Sequence, residues 1–251
     1  MTGFKITLDD ARFWKNCIDA VSSLITEGVF EISPDGIKLR AMDPSQIAMV
    51  VFNVGKEAFV EYSADGISNI GLNLEDLSKI LSRTRGKEKL IMQLDENNKF
   101  VIEFISDTQR KFRVPILDID SNAPLESKVE KIEFDVNMGF TAASLKEILK
   151  DVSLISANMA FNAADSSVIV EAHGDSGDIK EELKKENMNS LQLKQPAKSV
   201  FSLKYLVDIT NPCPGESIVN LSLKTNAPLK LEYAINEAKL VYYLAPRIES
   251  V

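Results

Sequence analysis

Residues 117–131 have the sequence LDIDSNAPLESKVEK, and this stretch separates two halves of the chain that follow one plan. It contains Pro124, short polar runs and alternating charge, and its few apolar residues have no helical period. These features are typical of an extended surface linker, and a linker this long is usually functional or disordered. We therefore expect an N-terminal domain at residues 1–116, a connecting loop at residues 117–131 and a C-terminal domain at residues 132–251.

The composition indicates a folded protein without a membrane anchor. Apolar residues make up 45% of the 251 positions, which is enough for one or two hydrophobic cores. No apolar run approaches the ~18 residues that span a bilayer, and Asp9 and Asp10 interrupt the place of a secretory signal. We therefore expect a soluble, intracellular protein. The formal net charge of −8 argues against a general coat for nucleic acid.

The first half is predicted to contain a strand, a helix, three strands, a second helix and three more strands. Alternating apolar residues at 4–8 predict the first strand, and the apolar spacing from Trp14 to Ile25 predicts the first helix. Pro34 and Gly36 indicate a hairpin turn. The second helix is predicted over Glu75–Arg83 and is expected to end at Gly86.

The second half repeats this order. A strand is predicted at residues 132–138, followed by Thr141 as a helix cap and a helix whose apolar stripe reaches Ile155. Val21-Ser22 and Val152-Ser153 coincide at a shift of 131 residues, whereas Gly86 and Gly215 coincide at a shift of 129. The difference indicates a loop that is two residues shorter in the second half. We therefore predict a duplicated α+β domain with mostly antiparallel sheets and helices on one face.

Residues that would support catalysis are sparse. His173 is the only histidine, Cys17 and Cys213 lie far apart without a Cys-x-x-Cys motif, and no glycine-rich phosphate loop occurs. Acidic residues are abundant, but none form an obvious catalytic pair. We expect no enzymatic activity, no cofactor and no metal site, with a hydrolase that uses surface carboxylates as a remaining alternative.

The predicted helices carry basic residues on their solvent faces. If the four helices lined one concave surface, these residues would form a track for DNA phosphates that does not depend on base sequence. Nearby acidic residues weaken this interpretation, since exposed charges on helices are usually only solvated. The predicted DNA-facing residues are Arg12, Lys15, Lys79, Arg83, Lys146, Lys150 and Lys204.

Two motifs resemble the sliding clamp family of archaea and eukaryotes, proliferating cell nuclear antigen. They are LRAMDPSQIAMV at Leu39–Val50 and YYLAPRIE at residues 242–249. The length, the duplication and the position of the connector agree with the family, and the end soon after the second motif is similar to archaeal members. The resemblance implies a trimeric ring of six similar domains, with helices around a central hole that holds duplex DNA and strands in an outer sheet.

The resemblance also implies where subunits meet. The strand near residues 108–117 of one subunit is expected to pair with the strand near residues 175–185 of the next. The expected contact residues are Arg110, Lys111 and Phe112 on one side, and Ile179, Lys180, Leu183 and Lys184 on the other.

A pocket beneath the connector is implied by the same resemblance. Partners of the family insert a short motif there, Gln-x-x-aliphatic-x-x-aromatic-aromatic, and methionines with an aliphatic rim suit aromatic anchors. The matching positions are Met42, Gln46, Ile47, Met49, Leu125, Pro228, Tyr243, Ala245 and Pro246. Ser22 and Ser82 stand where eukaryotic members have lysines, and Gln46 stands where they commonly have histidine.

The resemblance therefore implies a processivity factor for replicative DNA polymerase that also serves as a docking platform for replication and repair enzymes. The implied partners are double-stranded DNA, proteins that carry the short motif, and an ATP-dependent loader that opens the ring. A homotrimer in the cytoplasm, associated with the nucleoid, is expected, or a nuclear one if the source is eukaryotic. A checkpoint-type subunit of a heterotrimer is the alternative within the same fold.

Overall fold

The computed structural model describes residues 3–119 and 128–247, which form two compact units. Unit 1 contains residues 3–44, 50–119 and 235–240, and unit 2 contains residues 45–49, 128–234 and 241–247. The strand pairs within each unit are antiparallel, in agreement with the predicted fold class. None of the helices in these residues has the length and apolar character needed to cross a bilayer.

The first half of the chain contains nine strands and two α-helices among its described residues. In order they are β1 (Phe4–Leu8), α1 (Ala11–Ser22), β2 (Glu27–Ser33), β3 (Gly36–Met42), β4 (Ala48–Gly55), β5 (Glu61–Ala64), β6 (Ser68–Asn73), α2 (Leu74–Leu81), β7 (Lys89–Leu94), β8 (Phe100–Ile105) and β9 (Gln109–Val114). The strands of unit 1 follow the orders β5-β1-β7-β8-β9 and β4-β3-β2-β6.

The second half has the same elements in the same order. They are β10 (Val136–Thr141), α3 (Ala142–Ser153), β11 (Asn158–Ala164), β12 (Ser167–Gly174), β13 (Gly177–Lys184), β14 (Ser190–Leu193), β15 (Ala197–Ser202), α4 (Leu203–Thr210), β16 (Ile218–Leu223), β17 (Leu229–Ile235) and β18 (Ala238–Leu244). The strands of unit 2 follow the orders β13-β12-β11-β15 and β14-β10-β16-β17-β18.

The predicted element order was wrong in one respect, because five strands and not three separate the two helices of each half. The four-residue strand β5 alternates between exposed and half-buried residues, so it carries no strong apolar signal. Strand β6 runs directly into α2, and the prediction assigned its apolar residues to the approach to that helix.

Several predicted boundaries also differ. Helix α1 ends at Ser22, although Ile25 is buried in the loop beyond it. Helix α2 ends at Leu81, and Gly86 instead takes a φ of +59° in the turn before β7. Strand β10 begins only at Val136, since residues 132–135, which follow the 3-10 turn Lys128–Lys131, are not in a strand. Helix α3 ends at Ser153, so Ile155 lies outside it.

Polar side chains cap two of the helices, and Thr141 does so as predicted. Asp10 precedes α1 and accepts a hydrogen bond from the Arg12 N–H at 3.0 Å. Thr141 precedes α3 and accepts one from the Ser144 N–H at 3.1 Å. Each side chain satisfies a backbone donor that the first helical turn leaves without an intrahelical partner.

The residue shifts between corresponding elements of the two halves locate the shorter loop. Helices α1 and α3, and strands β2 and β11, are related by 131 residues, whereas β4 and β13 and most later pairs are related by 129. The change occurs at one connection, which contains residues 43–47 between β3 and β4 but only residues 175–176 between β12 and β13. The longer version lies inside the first of the two motifs that resemble the clamp family.

Each unit has its own aromatic core. In unit 1, Trp14 of α1 contacts Phe30 and Phe52, with ring centroids 6.0 Å apart in both cases. In unit 2, Tyr233 and Tyr242 stack at 5.8 Å, and the Tyr233 hydroxyl donates to the Ile209 carbonyl of α4 at 3.0 Å. Both cores hold the helices against the sheets, so the helices present their opposite faces to solvent.

Candidate functional site

Four of the seven predicted DNA-facing cations form ion pairs within their own helix. Each partner lies three or four residues away, which places it on the same helix face. The pairs are Lys15–Asp19, Asp76–Lys79, Glu147–Lys150 and Lys204–Asp208. The four helices together carry six basic and six acidic residues, so the predicted phosphate track is electrically neutral along its helical part.

The three remaining cations have different surroundings. The Arg12 guanidinium binds Asp10, with Nε 2.9 Å from Oδ1, and this hydrogen bond holds the pKa of the Asp10 carboxyl below its ordinary value. Lys146 donates from Nζ to the carbonyl oxygens of Asn211 and Cys213, at 2.9 and 2.6 Å, just after α4. Of the seven predicted DNA-facing cations, all of which the structure describes, only Arg83 has a side chain without an ion pair or hydrogen bond.

The two helices of each unit are joined by polar contacts. In unit 1, Asp19 of α1 binds Lys15 and also accepts a hydrogen bond from the Ser78 hydroxyl of α2 at 2.7 Å. In unit 2, Lys146 of α3 reaches the end of α4 as described above. The structure therefore joins α1 to α2 through side chains, and α3 to the segment that follows α4.

The predicted subunit contacts lie on two strands at sheet ends. Strand β9 is the last strand of its sheet beside β8, and β13 is the last strand of its sheet beside β12. Along β13 the half-buried Ile179 and Leu183 alternate with the exposed Lys180 and Lys184. A strand at a sheet end presents backbone groups that can pair with another chain.

Arg110 of β9 is held within its own unit. Its guanidinium binds the Glu88 carboxylate at 2.6 Å, donates to the Arg83 carbonyl at 3.0 Å, and lies 4.8 Å above the Phe104 ring. Phe112 is half-buried and meets Phe104 edge to face at 5.9 Å, whereas Lys111 is exposed.

The Glu88 carboxylate has no solvent-exposed surface. Burial alone raises its pKa, but hydrogen bonds from the Arg85 N–H, the Arg110 guanidinium and the Ser106 hydroxyl outweigh burial. The pKa of Glu88 therefore lies below its ordinary value of 4.5. The result is a buried, compensated charge that ties the segment after α2 to β9.

The sequence analysis missed Leu154, which is 74% exposed at the end of α3. Its neighbour Ile155 lies against Gly174 of β12, where a Cβ would be only 1.9 Å from the Ile155 carbonyl oxygen. Leu154 therefore lies beside the β12–β13 hairpin. The predicted apolar stripe of this helix passed from Val152 to Ile155 without Leu154, and no role was predicted for Leu154.

The predicted partner pocket contains both exposed and buried residues. Met42 is 39% exposed and Ile47 is 40% exposed, Gln46 is exposed, and Ala245 and Pro246 are half-buried, as is Pro228. Met49 and Tyr243 belong to the buried core. Leu125 lies outside the described residues.

The loop before β4 meets the segment after β18 through a backbone hydrogen bond. The Ala245 N–H donates to the Ile47 carbonyl at 2.8 Å, which fixes Ile47 beside Ala245 and Pro246. Gln46 has a φ of +57°, a backbone conformation that non-glycine residues seldom adopt. This bend turns the chain so that Ile47 is exposed while Met49 enters the core.

Groups that would support catalysis are not arranged for it. His173 lies 2.7 Å from Asp178, and both side chains are exposed. Burial raises the pKa of the Cys17 thiol, and it raises the pKa of Cys213 to about 11, so both thiols stay protonated at neutral pH. Across residues 3–119 and 128–247, no three His, Cys, Asp or Glu side chains lie together in a way that would hold a metal ion.

Comparison with known families covers nearly the whole chain. Residues 3–123 match the N-terminal domain of proliferating cell nuclear antigen, and residues 128–248 match its C-terminal domain. The chain belongs to the proliferating cell nuclear antigen family. The resemblance carried by residues 39–50 and 242–249 is thereby confirmed. Because proliferating cell nuclear antigens are processivity factors and not enzymes, the hydrolase alternative is rejected.

Relatives and solved structures extend this assignment. A DNA polymerase sliding clamp of Methanococcus vannielii is 36% identical, and the match covers 98% of this chain and all of the relative. A DNA polymerase sliding clamp of Thermococcus gammatolerans is 31% identical, with 98% and 99% covered. The crystal structure of PCNA from Thermococcus kodakaraensis superposes with a TM-score of 0.90 at 27% identity, with 97% and 100% covered.

Proposed function

We infer that the chain is a subunit of a DNA sliding clamp, which encircles duplex DNA and acts as the processivity factor of a replicative DNA polymerase. The observation that carries this inference is the match to sliding clamps over the full length of both proteins. The same ring would serve as a docking platform for other enzymes of replication and repair. Such a ring works where the chromosome is, so we propose the cytoplasm, at the nucleoid, as its location.

The charge balance of the helices supports retention by enclosure and not by affinity. Most cations on the proposed DNA-facing surface already have an acidic partner on the same helix. Binding to DNA phosphates releases few counterions when few cations are free, so static affinity is low and its salt dependence is shallow. A closed ring needs no strong contact, and weak phosphate contacts at Arg12, Arg83 and their neighbours permit sliding.

We propose a homotrimer in which β9 of one subunit pairs with β13 of the next. The two strands lie at sheet ends and differ in sequence, so their pairing is head to tail, and such contacts close into rings at a suitable rotation. The apolar part of the contact consists of Phe112 on one side and Ile179, Leu183 and Leu154 on the other. Lys111, Lys180 and Lys184 flank it, and Arg110 stays bound to Glu88 in its own unit.

We propose that partner proteins bind at the surface around Ile47, Ala245 and Pro246. The exposed Ile47 offers an apolar surface to the aliphatic and aromatic anchors of a short motif. Residues 117–131 form the connector beside which the motif would extend. An ATP-dependent loader is needed to open the ring, because the chain has no phosphate-binding loop of its own.

Primer extension tests this function directly. The replicative polymerase of the same organism is given a singly primed circular template with the loader, ATP and the purified chain. The expected result is longer products per binding event at constant polymerase concentration, and the increase requires ATP. Products of unchanged length, with a loader that hydrolyses ATP normally, would reject the proposal.

A further inference from the structure

Unit 2 contains a cleft that none of the predicted sites includes. It has a volume of about 290 Å³, and we term it the Asn158 cleft. Its apolar floor consists of Ala160 and Val200, which pair across β11 and β15 and so face the same side of the sheet, and the polar groups beside it include Asn158 and Glu171. The volume lies at the lower end of small-ligand sites, so it suits one side chain of a larger partner better than a whole cofactor.

The cleft presents an unsatisfied acceptor and a carboxylate. Asn158 Oδ1 is buried and has no hydrogen-bond partner among the described residues. The Glu171 side chain is 19% exposed, and its nearest cation, Lys198 Nζ, lies at 3.3 Å on a side chain that is itself 51% exposed. A buried acceptor without a donor costs free energy, which a donor from a bound partner recovers.

The duplication shows that this strand edge accepts an additional chain segment. Val200 of β15 corresponds to Gly71 of β6, and each forms a single antiparallel bridge, Val200 with Arg247 and Gly71 with Leu117. In unit 1 the segment after the bridge covers the edge, since a Cβ on Gly71 would meet the Leu117 carbonyl oxygen at 2.3 Å and Ile119 Cδ1 at 3.2 Å. The corresponding edge of unit 2 borders the Asn158 cleft.

The cleft is continuous with the proposed partner surface. Arg247, which borders it, follows Pro246 directly, and Ala245 is hydrogen-bonded to Ile47. A peptide that binds at Ile47 and Ala245 therefore has flanking residues within reach of the cleft. The chain's own residues 248–251, IESV, are a less suitable occupant, because the Glu249 carboxylate would be repelled by Glu171.

We propose that the Asn158 cleft is a second subsite for partner proteins and binds a lysine or arginine side chain that flanks the docking motif. The apolar floor accepts the aliphatic stem, and Asn158 Oδ1 and the Glu171 carboxylate accept hydrogen bonds from the cationic head. Arg247 also lines the cleft and its charge opposes a second cation, so the aliphatic stem must fit as well as the head. The proposal rests on the proposed docking function.

Titration calorimetry with synthetic peptides tests the subsite. Each peptide contains Gln-x-x-Leu-x-x-Phe-Phe and one lysine at a single flanking position, and its control has norleucine there. One lysine position is expected to bind roughly three- to tenfold more tightly than its norleucine control. The Glu171→Gln variant should lose most of the affinity difference between the lysine peptide and its control. The Asn158→Asp variant should increase that affinity difference. Glu216→Gln, which removes an exposed carboxylate outside the cleft, should leave it unchanged.

Failure of the subsite and failure of the docking function give different results. Equal affinity of every lysine peptide and its control, with both bound, overturns the subsite but leaves the docking function intact. Loss of all peptide binding overturns both. The side-chain amide signals of Asn158 in NMR spectra provide a second measurement that needs no variant protein in the binding step. These signals should shift when the lysine peptide is added. If they shift instead when residues 248–251 are deleted and no peptide is present, the chain itself occupies the cleft.

Discussion

Arg110 and Arg113 lie three positions apart on β9, yet their surroundings differ sharply. Arg110 is 17% exposed and neutralises the fully buried Glu88 carboxylate at 2.6 Å. Arg113 is 54% exposed and lies 3.3 Å from Asp95. Removing one partner from a buried pair leaves an uncompensated charge, whereas removing a solvated partner does not. The two arginines therefore form a matched pair for measuring what burial contributes.

The first prediction is that Arg110→Gln lowers the free energy of unfolding by about 2–3 kcal/mol, because Glu88 stays buried without its cation. Arg113→Gln should have little effect. Urea unfolding followed by circular dichroism, with all proteins at one concentration, provides the measurement. Equal loss in the two variants would contradict the assignment of Glu88 as a compensated buried charge.

The pH dependence of this pair has a defined sign. The pKa of Glu88 is lower in the folded protein than its ordinary value of 4.5. Its contribution to stability is therefore fully present above about pH 4.5 and is lost as the pH falls through the folded-state pKa. The wild-type protein should lose stability more steeply than Arg110→Gln in this acid range. Parallel curves for the two proteins would show that the hydrogen bonds from Arg85 and Ser106 compensate Glu88 without Arg110.

Among the elements, the connection between β3 and β4 distinguishes the two halves. It contains residues 43–47 in the first half, including the positive φ of Gln46, but only residues 175–176 in the second. The exposed Ile47 has no counterpart in the tight second turn. A duplicated chain therefore offers one partner surface of this kind and not two.

We accordingly predict that one motif peptide binds per chain. Titration calorimetry with the norleucine control peptide should give a stoichiometry of one, and Ile47→Asp should weaken binding by about tenfold or more, because a charge replaces an apolar anchor. Two equivalent sites per chain, or binding unaffected by Ile47→Asp, would contradict this location.

The exposed end of helix α3 tests the proposed assembly. Leu154 is 74% exposed in the single chain, so Leu154→Asp should leave the fold and its melting temperature nearly unchanged. If Leu154 is covered by the next subunit, the same change should weaken assembly by about tenfold or more. Light scattering after size-exclusion chromatography measures the mass of the assembly and so the fraction that remains trimeric. Val60→Asp, at a residue that is 57% exposed, is the control and should remain trimeric.

The neutral helices predict how DNA affinity responds to added charge. Ser82 lies exposed directly after α2 and next to Arg83. Ser82→Lys should raise the affinity for linear duplex DNA and steepen the salt dependence of log K by about one unit, as expected for one new phosphate contact. Asn97→Lys adds the same charge in the β7–β8 turn and should change neither. Equal effects of the two variants would indicate general attraction and not a helical track.

Sequence patterns predicted both helices of each half and the long strands, because their apolar residues repeat with clear periods. They missed β5 and its counterpart β14, which have only four residues each, and they assigned the apolar residues of β6 to the approach to α2. For the site, residue types predicted which helices carry cations. They did not predict that Lys146 binds the Cys213 carbonyl or that Arg110 binds Glu88, because those partners come together only through the fold.

For the whole molecule, the two units repeat one plan, and the chain matches sliding clamps from end to end. The six basic and six acidic residues on its helices leave little net attraction for DNA. We therefore propose that a closed ring, and not chemical affinity, holds the protein on DNA. Enclosure has a consequence that affinity does not, because it depends on the topology of the DNA.

Retention of the protein on circular DNA tests encirclement most directly. After loading onto a nicked circle with loader and ATP, the protein should remain with the DNA during gel filtration in salt that abolishes binding to linear duplex. Cutting the circle once should release it, and blocking both new ends with bulky protein caps should restore retention. Retention that is unchanged by cutting, with or without the caps, would contradict encirclement.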